Sequence, residues 1–191
     1  MIEVLSVNVG RAQRVPIDGQ SVLTAIGKQA LAGPVAVHPL GLQGDEKADL
    51  AVHGGLSKAV YAYPQEHYAF WRVVRAQARV AAWDAPLPPG SVGENLSLRG
   101  LLEGDLWIGD LLRLPNCTLA VSEPRQPCFK FNHAMGFSQA VKLMQQSGYC
   151  GAYLTVIEPG SVEAGQGAQP VPGPRDATLL EHVQARRPPR S

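Results

Sequence analysis

The chain is poor in cysteine, almost neutral, and without a long apolar run, and each shortage removes a class of protein. Cysteine occurs three times, as Cys117, Cys128 and Cys150, with no C-x-x-C pair. That excludes a disulfide framework and argues against a structural zinc site or a cysteine-held iron–sulfur cluster. Lys plus Arg number 17 and Asp plus Glu 16, a net charge of +1. A near balance argues against a nucleic-acid polymer as partner. No apolar run approaches the roughly 18 residues that would suggest a membrane span. The opening Met1-Ile2-Glu3-Val4-Leu5-Ser6 lacks the basic region of an export leader. The expectation is a cytoplasmic protein with reduced thiols and no membrane contact. No internal repeat is visible.

What the chain does have is a core and much punctuation. Of its 191 residues, 45% are hydrophobic, enough for one globular domain. Gly 20 and Pro 16 exceed average usage of about 12% combined, so turns are many and strands short. Segments 2–9, 21–26, 34–38, 94–98, 105–114, 117–122 and 150–158 read as strands. Segment 39–58, with four glycines and mixed charges, reads as a long loop, or a loop holding a short strand. Pro64 and Glu66 suit a first helical turn. With Tyr68, Trp71, Val74 and Ala78 at helical spacing, they predict a helix over 64–79. Ser138 could cap a second helix, 138–147, ending before Gly148. Segment 123–137 reads as irregular, segment 164–175 as low in complexity, and 176–185 as a possible last helix before a frayed end. Many short strands with few helices predict a mainly β protein, a closed β-barrel with α-helical insertions.

Three stretches can carry chemistry. In Pro124-Arg125-Gln126-Pro127-Cys128-Phe129-Lys130, two prolines stiffen the backbone ahead of a thiol with cations on both sides. No Asp or Glu occurs from Pro124 to Ile157. A positive field favours the thiolate, the form that attacks electrophiles or binds a metal. A buried, inert Cys128 is equally compatible with these residues. Cys117 and Cys150 each open an apolar strand and read as packing residues. In His53-Gly54-Gly55-Leu56-Ser57-Lys58, the glycine pair lets backbone amides approach an anion, with His53 and Lys58 on either side. A plain Gly-Gly turn explains the same residues. In Gly93-Glu94-Asn95, two polar side chains beside a glycine can orient a ligand, or simply start a strand.

Taken together, these stretches resemble the MOSC domain, the C-terminal domain of molybdenum-cofactor sulfurases, and in particular its stand-alone bacterial YiiM-like members. The resemblance runs through Gly41-Leu42-Gln43-Gly44-Asp45, Val52-His53-Gly54-Gly55, Lys58-Ala59-Val60-Tyr61, Gly93-Glu94-Asn95-Leu96, Gly109-Asp110 and the Cys128 stretch. Tyr63-Pro64-Gln65-Glu66-His67-Tyr68, leading to Trp71, matches the same subgroup. It covers about residues 1–172, leaving 173–191 as a short tail, a possible remnant of the small helical domain that longer relatives carry. Val92 stands where relatives often have an aromatic. The resemblance implies a β-barrel and a molybdenum cofactor (Mo-pterin), with Cys128 as metal ligand and catalytic residue. It places His53, Gly54, Gly55, Lys58, Glu94, Asn95, Arg125 and Lys130 around that cofactor. It implies reduction of N-hydroxylated compounds, such as N-hydroxylated bases, or alternatively a sulfur-carrying or cofactor-binding module without turnover. The substrate would be a small molecule. With no dinucleotide fingerprint in the chain, electrons would come from a separate donor protein. There is no room for a pyridoxal-phosphate desulfurase domain.

Overall fold

The computed structural model describes residues 2–48 and 54–185. Thirteen strands form in chain order among them. They are β1 (Ile2–Val9), β2 (Gln13–Ile17), β3 (Gln20–Thr24), β4 (Gln29–Leu31), β5 (Val35–His38), β6 (Gly41–Leu42) and β7 (Val60–Pro64). β8 (Leu96–Arg99), β9 (Leu111–Arg113), β10 (Thr118–Pro124), β11 (Ala152–Glu158), β12 (Gly160–Val162) and β13 (Gly167–Val171) complete the set. Four helices follow the same order: α1 (Tyr68–Gln77), α2 (Phe129–Met135), α3 (Ala140–Ser147) and α4 (Leu179–Ala185). None is long and apolar enough to cross a membrane.

Seven strands close into a barrel in the order β13-β9-β10-β11-β7-β8-β1, and β1 returns to β13. The closure pairs Ile2 with Ala168 and Glu3 with Gly167. All neighbours are antiparallel except β7 and β8. A parallel pair needs a long crossover, and α1 with the loop after it supplies one. β1 serves three partners because it is long. Its start pairs with β13, its end with β4, and its other edge with β8. A register shift between Val4 and Ser6 lets it bend around the barrel.

The barrel interior is packed with Val4, Val60, Leu96, Leu98, Leu112, Leu119 and Leu154, all buried. Such filling is expected of a small barrel. A second, aromatic core lies between the sheet and the helices: Tyr61, Tyr63, Tyr68, Trp71, Phe131, Met135 and Met144. There Trp71 Nε1 donates to Tyr63 Oη at 2.6 Å. A buried tyrosine and tryptophan thus satisfy each other.

The expected helix over 64–79 appears as one tight turn, Gln65–His67, running into α1. The expected helix over 138–147 is α3, ended by Gly148 in the left-handed region at φ 80. Ser138 does not cap it. Asn132 Oδ1 accepts from the Val141 amide at 2.8 Å instead. Several elements escaped the sequence reading, among them the short strands β2, β4 and β12, and three have a clear physical reason. β7 is buried at every residue, so it shows no alternation. α2 has 7 residues, too few to display a period. β13 is GAQPV, held by backbone pairing to both β1 and β9 rather than by apolar side chains. The expected strand 105–114 shrinks to β9.

The segment after β13 is fastened to the barrel. Asp110 Oδ1 accepts from the Gly173 amide at 2.7 Å and pairs with Arg175. Thr178 and Glu181 form a reciprocal capping box at the start of α4. Leu179 is fully buried in the barrel core.

Candidate functional site

Pro124 ends β10, and Pro127 holds the chain extended as it leaves the sheet. Cys128 then sits at φ −119, ψ 175, as the residue that precedes α2. Its backbone is held between a strand end and a helix start, and the residue is partly exposed. It opens into a cleft.

That cleft gathers residues from distant parts of the chain. Lys58, Asn95, Arg125, Cys128 and Lys130, all singled out by the sequence, line it together. Lys58 closes the tight turn Leu56–Lys58 ahead of β7. The turn is anchored to β10, since Ser57 Oγ donates to Glu123 Oε1 at 3.0 Å and Ser122 Oγ to Ser57 O at 2.5 Å. Gly55 enters the turn at φ 96, the left-handed region that favours glycine. Gly54 and Gly55 do not line the cleft. His53 lies outside the described residues.

Glu94 is not a lining residue either. It is fully buried one position away and accepts four hydrogen bonds. They come from the amides of Gly90 at 2.7 Å and Val92 at 3.1 Å, from Ser97 Oγ at 2.7 Å, and from the Tyr68 hydroxyl. Its carboxylate fixes the bend that presents Gly93 and Asn95 to the cleft. The Asn95 side chain is itself committed. Oδ1 accepts from the Tyr61 amide at 3.0 Å, and Nδ2 donates to Asn8 O at 3.1 Å. Asn95 therefore shapes the wall and holds Tyr61 in place.

Lys28, Glu46, Lys47 and Tyr153 also line the cleft without having given a signal in the sequence, and Asp45 and Tyr61, which belong to the motifs of the family resemblance, line it without having been named as site residues. Lys28 and Asp45 form an almost fully buried ion pair. Lys47 Nζ donates to Leu40 O at 2.6 Å, Lys58 O at 3.0 Å and Ala59 O at 3.3 Å. Burial pushes its ammonium below the ordinary lysine value, against the pull of Asp45. Lys47 is thus a brace that ties the 40–47 segment to the start of β7. Among the described residues, the lining holds five cationic side chains, Lys28, Lys47, Lys58, Arg125 and Lys130, against two carboxylates, Asp45 and Glu46.

Arg125 is buried, with its guanidinium carbon 4.9 Å from the ring centroids of both Tyr61 and Phe131. Tyr61 and Tyr153 stand beside it. Burial raises both phenols above the ordinary tyrosine value, although Arg125 pulls the other way. Both are therefore neutral at pH 7.

The other two thiols differ from Cys128. Cys117 and Cys150 are buried. Burial pushes Cys117 up to about 11. It pushes Cys150 to about 12, with the Glu103 carboxylate adding to the effect. Neither is available as a thiolate near neutral pH. Among the described residues, no three His, Cys, Asp or Glu side chains gather as a metal site.

The chain is similar to known proteins in sequence and in fold. A family model described as the MOSC domain matches residues 49–169. The Escherichia coli protein YiiM is 38% identical over 178 residues, covering 93% of this chain and 75% of its own. A protein named reductase from Gibberella moniliformis is 34% identical over 163 residues, covering 83% of this chain and 27% of that longer one. The crystal structure of YiiM from Geobacillus stearothermophilus superposes with a TM-score of 0.76 at 29% identity, over 96% of this chain and 83% of that one.

Proposed function

Because the chain belongs to the MOSC domain family, we propose that it is a molybdenum-cofactor protein that reduces N-hydroxylated small molecules, with Cys128 as the protein's ligand to the metal. One observation carries this reading. Of three cysteines, Cys128 alone is partly exposed, and it shares a cleft with Arg125, Lys58 and Lys130. The name of the reductase relative supports a redox role.

The donor set fits such a group. A single soft thiolate suits molybdenum, and it suits a metal that brings its remaining ligands with its cofactor. Cationic side chains suit the cofactor's phosphate and other anionic parts. Bound there, the cofactor would supply the two-electron chemistry that removes oxygen from nitrogen. The balance is R–NHOH + 2e⁻ + 2H⁺ → R–NH₂ + H₂O, with electrons from a separate donor protein and protons from water.

The chain's own residues bind and orient. Cys128 would hold the metal end. Arg125, Lys58 and Lys130 would meet negative charge, and Tyr61 and Tyr153 would wall the cleft as neutral phenols. Glu94 acts through the 90–95 bend, and Gly54 and Gly55 through the turn that delivers Lys58. His53, from the resemblance, completes the set.

The test is metal content and turnover in protein from a cofactor-competent host, with a chemical reductant and a hydroxylamine substrate. The natural chain should carry molybdenum and turn over. Cys128→Ser should lose both while keeping its fold, because a partly exposed cysteine contributes little packing. A Cys128→Ser protein that keeps metal and activity would refute the assignment.

A further inference from the structure

Away from the cleft, α1 and the turn after it expose apolar and cationic side chains together. Val73, Val80 and Trp83 are exposed, and Trp83, at 66%, is the most exposed large hydrophobic side chain among the described residues. Arg72 and Arg79 are exposed as well. No Asp or Glu occurs between Glu66 and Asp84, and Glu66 Oε1 is turned to the Gly100 amide at 2.7 Å. The whole chain carries a net charge of only +1, so this positive stretch is a local feature.

One of these cations is held in a strained backbone. Arg79 has φ 60, in the left-handed region. Its amide donates to Ala76 O at 3.0 Å, and the Val80 amide donates to Arg75 O at 3.1 Å. This closes α1 with a turn that glycine usually makes. The chain places an arginine where glycine would be less strained, and strain of this kind gathers at functional positions.

The interior beneath this face leads to the cleft. Trp71, fully buried on the inner side of α1, meets Phe131 edge to face with ring centroids 5.2 Å apart. Phe131 in turn lies 4.9 Å from the Arg125 guanidinium carbon, and Arg125 lines the cleft with Cys128. Arg75 Nε donates to Met135 O at 3.1 Å, tying α1 to the helix that starts beside Cys128.

We infer that Arg72, Val73, Arg79, Val80 and Trp83 form the docking surface for an acidic electron-transfer protein, the separate donor that the reductase reading requires. Charge complementarity selects the partner, since a basic stretch without carboxylates, with an exposed tryptophan, fits an acidic surface with an apolar centre. The position selects its role, because packed rings run from beneath this face to the cleft. The inference rests on the reductase reading. In each turnover the donor's reduced cofactor loses two electrons, the N–O bond of R–NHOH breaks, and two protons from water complete R–NH₂ and H₂O.

The experiment is steady-state kinetics on full-length, cofactor-loaded protein with a hydroxylamine substrate and two kinds of reductant. Reduced methyl viologen is small and needs no docking surface. Reduced flavodoxin and a reduced [2Fe–2S] ferredoxin, both acidic proteins, do. The proteins are the natural chain, Arg72→Glu, Arg79→Glu, Arg79→Gly, Trp83→Ala and, as control, Arg113→Glu, an exposed cation on β9. All should turn over alike with methyl viologen. With a protein donor, the two charge reversals should raise the KM for the donor at least about fivefold, Trp83→Ala less, and Arg113→Glu not at all. The difference should shrink as salt rises from about 0.01 M to about 0.1 M, which shortens the screening length from about 30 Å to about 10 Å. Arg79→Gly relaxes the backbone and should melt no lower than the natural chain, so a raised KM there reports docking and not a loss of fold.

A KM for the donor that is equal in all variants, or raised as much by Arg113→Glu, would overturn the inference. So would a natural chain that turns over with methyl viologen and with neither protein donor. Retention of the natural chain on vesicles of anionic lipid, lost in the charge reversals, would assign the face to a membrane and overturn it as well. No turnover with methyl viologen would instead remove the reductase reading, and this inference with it.

Discussion

Two arginines in this protein lie against aromatic rings, and they do opposite things. Arg175 sits 4.3 Å from the Trp107 ring and pairs with Asp110, which also accepts from two backbone amides. Its side chain is 42% exposed. Everything it needs is in the chain, and it fastens the segment before α4 to the barrel. Among the described residues Arg125 has two rings and no carboxylate, and it is nearly sealed from water. The same residue type is paired with a carboxylate in one place and held by rings in the other. A carboxylate pair marks a structural arginine. A ring-held arginine bordering a cleft beside a partly exposed cysteine marks a binding one.

The comparison extends to the carboxylates and thiols around each site, and it can be broken there. The largest effect is expected at Glu94, whose four bonds frame the cleft. Glu94→Ala should cost about 3–5 kcal/mol, since it strands several buried donors. Urea unfolding would measure this, and a loss under about 1 kcal/mol would show that the network does not hold the bend.

The thiols come next. Iodoacetamide at pH 8 should modify Cys128 first in cofactor-free protein. Cys117 and Cys150 should react only on unfolding, because burial holds them at about 11 and about 12. Mass spectrometry of partly alkylated protein would locate the label. Early labelling of Cys150 would contradict the burial argument.

Asp110→Asn should cost less, about 1–2 kcal/mol, by weakening the strap. This effect carries a pH signature. Burial works against the Asp110 carboxylate, but the Arg175 hydrogen bond and the amides of Gly173 and Trp107 hold it below the ordinary aspartate value. A depressed folded value means that the contribution is full above about pH 4 and is lost as pH falls through the folded value. The stability difference between the natural chain and Asp110→Asn should therefore persist from pH 7 to about pH 4 and shrink below it. A difference that grows on acidification would contradict the sign. The smallest effect belongs to Arg175→Met, about 0.5–1 kcal/mol, because its pair is partly exposed and screened.

Much of this was legible in the sequence. Gly and Pro punctuation with short β-rich segments pointed to a barrel, and Pro124, Pro127 and the acid-free stretch after them pointed to Cys128. Arg125, Lys58, Asn95 and Lys130 were named from three separate segments, and the fold brings them to one cleft. The rest was hidden for physical reasons. Tyr61 lies on β7, whose five buried residues erase any alternation. Tyr153 reads as an ordinary strand residue until pairing with β7 sets it against Tyr61, with ring centroids 5.4 Å apart. Lys28 and Asp45 are separated in sequence, and their pairing depends on the loop that carries them across the cleft. The order of residues also gave no sign that Glu94 would turn inward, while Asn95 beside it reached the cleft wall.

The most direct test of the account compares melting temperatures of Arg125→Met and Arg175→Met with the natural chain, all cofactor-free and in oxyanion-free buffer. Among the described residues Arg125 has no carboxylate partner, so an apolar side chain of similar length there removes a cost of burying charge and forfeits only ring contacts. Arg125→Met should therefore melt no lower than the natural chain, and Arg175→Met lower. If both variants melt lower by similar amounts, Arg125 is a structural arginine like its counterpart.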